Sequence, residues 1–123
     1  MSRAYLVLSL GTIALGLVHI AATFRIFPRL SGAAVWFAGA GLAIILTGAL
    51  NLLRRIYGEA ALGVRIVCLV ANVVMTAFAA LAGYAGRASA AEFLIVVGLV
   101  GGTTVFSVLP GAQRPIGGLP TKA

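Results

Sequence analysis

Few residues in this chain are able to do chemistry. The first is His19, the only histidine, set inside an apolar stretch over residues 5–24. Imidazole titrates near neutral pH and coordinates metals readily, so His19 could act as a general acid or base, a proton acceptor, or a ligand to haem or a metal. The plainer alternative is a neutral histidine donating to Thr12, Thr23 or a backbone carbonyl inside a helix bundle, close to Trp36. The single Cys68 allows neither an internal disulfide nor a cysteine pair for zinc, and it reads as a small packing residue. One histidine and one cysteine cannot close a metal site, and a haem or metal would need a second copy of the chain to complete its ligands. No metal and no cofactor are therefore expected. No aspartate or glutamate lies deep in an apolar stretch, so the usual carboxylate of proton- or cation-coupled transport is missing. Serine-hydrolase, cysteine-protease, phosphate-loop and dinucleotide signatures are missing too.

What remains is a set of polar and small residues at helical spacing. Tyr5, Ser9, Thr12, Gly16, His19 and Thr23 recur at steps of four, three, four, three and four, which places them on one face roughly 80° wide. Trp36, Ala40, Ala43, Thr47 and Asn51 form a second such arc, with Gly41 and Gly48 on a neighbouring face, and Arg65, Cys68, Asn72, Thr76, Ala79 and Gly83 form a third. In a membrane such stripes turn inward while the aliphatic faces meet lipid. Counting outward from the turns brings His19 and Thr23 near Trp36 and Phe37, Ser9 near Thr47, Tyr5 near Asn51, Asn51 near Arg65, and Asn72 near Thr104. The candidate ligand-binding residues are thus His19, Thr23 and Trp36 in one half of the bundle, and Tyr5, Asn51, Arg65 and Asn72 toward the other. Asn72 sits roughly 12 Å along its helix and needs a partner there.

The elements that position these groups are four apolar stretches, residues 4–24, 33–53, 64–83 and 93–109. Each is near the ~20 residues that cross a bilayer core. At 62% hydrophobic and 9% charged, the chain is far from a soluble domain, of which about a quarter is charged. Short charged connections between long apolar runs exclude a transmembrane β-barrel, whose strands alternate over ~10 residues. The fold class is all-α, a four-helix antiparallel transmembrane bundle. It forms one domain over residues 1–110, followed by a Pro- and Gly-rich tail, 111–123, expected to be mobile and cytoplasmic. Pro28 and Ser31 mark the first turn, Gly86 ends the third helix, and Ser89 with Glu92 forms a capping box for the fourth. Arg54 and Arg55 fall in the second connection. Gly98 and Gly102 make a small-xxx-small pair suited to helix docking.

The net charge of +7 does not indicate nucleic acid, because the cations are scattered at helix ends rather than gathered on one face. They read as topological signals for a bacterial-type inner membrane. The face holding both termini carries Arg3, Arg54, Arg55, Arg65, Arg114 and Lys122, six cations, against Arg25, Arg29 and Arg87, three, on the other. Both termini are therefore expected in the cytoplasm. With reactive groups scarce and small ones abundant, the leading reading is a non-catalytic accessory or interaction subunit. Its partners are the bilayer and either a second copy or another membrane protein. The alternatives are a binding or transport module for a lipid-like or aromatic small molecule in a polar pocket around His19, and a small membrane enzyme using His19. For the topology, reporter fusions at Ala123 are expected to read cytoplasmic and those at Ser31 periplasmic. A periplasm-only reporter that is active at Ala123 would reverse the assignment.

Overall fold

The computed structural model describes residues 2–58 and 60–109, so the expected tail over residues 111–123 lies outside the described residues, as does Glu59. Four helices follow in order: α1 (Ser2–Ile26), α2 (Gly32–Tyr57), α3 (Leu62–Ala85) and α4 (Ala90–Val108). All four are long and apolar enough to cross a membrane. They form a ring in which α1 packs on α2, α2 on α3, α3 on α4 and α4 back on α1. The architecture is the expected all-α four-helix bundle.

The helix ends follow local chemistry. The Ser31 hydroxyl accepts from the Ala34 N–H at 3.2 Å and starts α2. The expected capping box of Ser89 and Glu92 is complete at the start of α4. The expected C-cap of α3 at Gly86 is present, with φ −77°, and the left-handed residue is the next one, Arg87, at φ 52°. The Ala88 N–H donates to the Gly83 carbonyl at 3.0 Å and the Arg87 N–H to the Tyr84 carbonyl at 3.3 Å, which is the bond pair of a Schellman turn centred on Arg87. One correction concerns α2. Residues 54–57, read from sequence as connection, remain helical because nothing there breaks the helix, and Arg54 and Arg55 in the last turn complement its dipole.

The interior is polar and thin, and the exterior is apolar. Tyr5, Ser9, Thr12, Asn51, Asn72, Thr103 and Ser107 are fully buried, whereas Leu17, Val18, Val35, Leu46, Val70, Val74 and Leu94 all lie more than half exposed. Among the described residues Ile44, Met75 and Val100, with Leu15 and Ala43 against them, form a small apolar cluster. A water-soluble bundle reverses this arrangement, since burial of apolar area is what holds it together. In lipid there is no such gain between helices, and packing and hydrogen bonds decide association.

The closest helix pair is α1 with α2, and glycine makes that approach possible. A Cβ placed on Gly16 would stand 2.6 Å from the Gly41 carbonyl oxygen, one on Gly41 would stand 3.0 Å from the Gly16 carbonyl oxygen, and one on Gly48 would stand 2.8 Å from the Ser9 carbonyl oxygen. These neighbours are backbone atoms and cannot step aside, so any side chain here must push the helices apart. Gly39 and Gly98 have nothing within 4 Å of the same position. Gly102 faces Leu8 of α1 at 3.6 Å, so the Gly98 and Gly102 pair is not one open face. Gly16→Ala, Gly41→Ala and Gly48→Ala are each expected to cost about 1–3 kcal/mol by overpacking. Gly39→Ala and Gly98→Ala should be neutral or stabilising by up to about 1 kcal/mol through helix propensity. Thermal or denaturant melts of the five variants in one detergent check both halves of this prediction.

Candidate functional site

The first stripe turns inward. Tyr5, Ser9, Thr12, Gly16 and Thr23 are buried, and His19 is half-buried. Most hydroxyls on the stripes bond first to the carbonyl one turn back, as Ser and Thr do when no water is present. Ser9 donates to the Tyr5 carbonyl at 2.8 Å, Thr47 to that of Ala43 at 2.8 Å, and Thr103 to that of Leu99 at 2.7 Å. The stripes then join across helices. Thr12 and Thr103 hydroxyls lie 3.2 Å apart between α1 and α4, and those of Thr76 and Thr104 lie 2.8 Å apart between α3 and α4.

Asn51 is the hub of this network. Its Oδ1 accepts from the Tyr5 hydroxyl at 2.6 Å, from Asn72 Nδ2 at 2.9 Å and from the Cys68 thiol at 3.3 Å. Its Nδ2 donates to Asn72 Oδ1 at 2.7 Å and to the Thr47 carbonyl at 2.7 Å. The two amides therefore face each other as a reciprocal pair, tying α2 to α3 while Tyr5 brings in α1. Thr104 adds α4 by donating to the Asn72 carbonyl at 3.2 Å. The expected juxtapositions of Tyr5 with Asn51 and of Asn72 with Thr104 are present. The expected meeting of Asn51 with Arg65 is not. Because α2 runs on to Tyr57, the turn lies later in the chain than the sequence reading placed it, and Asn51 meets Cys68 and Asn72. Arg65 is exposed, and only its backbone carbonyl takes part, accepting from Arg54 Nη1 at 3.1 Å.

At the other end His19 stacks on Phe37, with ring centroids 3.9 Å apart and planes 14° from parallel. Phe27 tilts against the same ring at 5.6 Å. The Thr23 hydroxyl bonds to the His19 carbonyl at 3.3 Å rather than to the imidazole, and no described residue hydrogen-bonds the imidazole itself. Trp36 is not part of this group. It is 82% exposed and lines a groove between α2 and α3 with Ala40, Ala43, Val74 and Phe78. The reason is phase, since Phe37 takes the face toward α1 and its neighbour points about 100° away.

Two members of the interior escaped the sequence reading. Cys68, read as packing only, donates to Asn51. Arg54, read as a loop cation, is 4% exposed and lies within electrostatic reach of Tyr5 and Cys68. The signal for Arg54 was available, because it follows Thr47 and Asn51 at steps of four and three on the same arc. Among the described residues no group of three His, Cys, Asp or Glu side chains is placed to hold a metal ion.

Asn51 takes part in five hydrogen bonds. At ~0.6 kcal/mol for each intramembrane bond, Asn51→Ala should cost about 3 kcal/mol, since it also strands the groups that face it. Asn72→Ala added to Asn51→Ala should cost much less than the sum of the two single changes, because the amides serve each other. A double-mutant cycle measured by unfolding in mixed micelles is the check, and strict additivity would show that the pair is not coupled.

This chain matches no protein-family model, no curated protein and no solved structure at a significant level. The reading of its function rests on the geometry above.

Proposed function

We propose that this small multi-pass membrane protein is a non-catalytic accessory or interaction subunit of a bacterial-type inner membrane, docking a helix of a second copy or of another membrane protein. The observation that carries the reading is the groove between α2 and α3. Gly39, Ala40 and Ala43 lie along it with Trp36, Leu46 and Phe78, in a concave apolar space of about 580 Å³ that opens outward. Small residues beside bulky ones suit a transmembrane helix, because van der Waals packing is what joins helices in lipid. The closed interior supports the same reading. Tyr5, Asn51, Asn72 and Cys68 are bonded to one another, so these polar groups are used in holding the helices together.

One observation favours a second reading. The His19 imidazole has no hydrogen-bond partner among the described residues and lies flat on Phe37, an arrangement suited to receiving an aromatic or lipid-like molecule beside Thr23. On this reading His19, Thr23 and Phe37 form the contact, and Trp36, which lies on another face, is not needed.

Photocrosslinking residues placed at Gly39 or Ala43 in native membranes are expected to trap a protein of defined mass, and the same residue at Leu17 or Leu94 is not. Trapping of lipid alone at all four positions would overturn the docking role. His19→Ala and His19→Gln are expected to leave that crosslink unchanged. Loss of the chain's phenotype in both variants, with melting temperature preserved, would instead favour ligand binding at His19.

A further inference from the structure

Neither the α2 dipole nor the bond to Arg65 accounts for how deeply Arg54 is buried. Its side chain is 4% exposed at the end of the bundle where α2 passes to α3. A guanidinium carries five N–H donors and stays charged at any accessible pH. Here Nη1 donates to the Arg65 carbonyl at 3.1 Å, while Nε is buried without a hydrogen-bond partner. A buried charge of this kind is costly unless an anion meets it. Among the described residues the only acidic side chain is Glu92, and it is committed to the Ser89 cap at the opposite end of the bundle.

Arg54 borders an open crevice of about 240 Å³, shared with Arg65, Leu62, Ile66, Leu69 and Val108. Both guanidinium-bearing residues sit at one end with Val108, the last residue of α4, and the aliphatic side chains of Ile66 and Leu69 on α3 run from there toward the middle of the span. The first turn of α3 adds to the positive potential. Its N-cap, Ala61, has no side chain to bond the free N–H groups, and no acidic residue lies in the turn. Leu62, at the start of that turn, lines the crevice.

We propose that this crevice binds a phosphate group, held by the guanidinium groups of Arg54 and Arg65 at the start of α3. Two sources share that chemistry. One is the headgroup of an anionic phospholipid, whose acyl chain would lie along Ile66, Leu69 and Val108. The other is free phosphate. The guanidinium fork matches phosphate oxygens in bidentate geometry, and such pairs are among the stronger hydrogen bonds. The crevice is separate from the α2 and α3 groove at Trp36, so the inference does not depend on the docking role.

The test uses the full chain in nanodiscs of neutral phosphatidylcholine, with melting temperature as the readout. One arm replaces a third of the lipid with phosphatidylglycerol, and the other adds millimolar inorganic phosphate at constant ionic strength. A rise of several degrees in the first arm assigns the site to lipid, and a rise in the second assigns it to the free anion. In either case the rise should be lost in Arg54→Gln, reduced in Arg65→Gln, and kept in Arg3→Gln, a cation at the same end but outside the crevice. Arg65→Gln alters an exposed side chain, so it keeps the test open if Arg54→Gln fails to fold. No rise in either arm, or an equal rise in wild type and both crevice variants, would overturn the proposal.

Discussion

The structure depends on one constraint: a polar group placed in hydrocarbon has no water to bond, so every amide and hydroxyl in the bundle needs a partner from another helix or from the turn before it. Asn51 and Asn72 meet that requirement together. Each amide has a donor and an acceptor, and two facing amides cover both needs at once. Tyr5 and Cys68 then take up the remaining capacity of the Asn51 oxygen. The pair sets which faces of α2 and α3 must meet, because any rotation of either helix leaves an amide in lipid.

Glycine determines how near the helices come, and so which side chains can reach. At Gly16, Gly41 and Gly48 the backbones of α1 and α2 touch, which puts Tyr5 within bonding distance of α2. No glycine contact of this kind joins α2 to α3. That pair is tied at one end by the amides and by Arg54, and farther along it opens into the groove beside Trp36. One close interface and one open interface on the same helix follow from where the glycines fall along α2.

The charges are segregated with equal consequence. Acidic groups are nearly absent, and the described one is used on a helix cap. Positive charge gathers at the end where α2 turns into α3, in part on a side chain that the bundle encloses. Among the described residues no carboxylate meets this enclosed cation, and that imbalance motivates the proposed phosphate site.

The four spans, their polar stripes, the Ser31 and Ser89 caps and the meeting of Tyr5 with Asn51 were all legible in the sequence, because apolar length and a 3.6-residue period are local properties. Helix phase even marked Arg54 as an inward residue, although the charge pattern made it look like a loop signal. Two features depended on tertiary structure. The end of α2 at Tyr57 shifted the register, so that Asn51 met Asn72 and not Arg65. The pairing of Phe37 with His19 turned Trp36 to another face. Each depends on how far a helix continues and on which neighbour occupies its face. Periodicity along one chain specifies the face a residue lies on, but the helix packed against that face determines its partner.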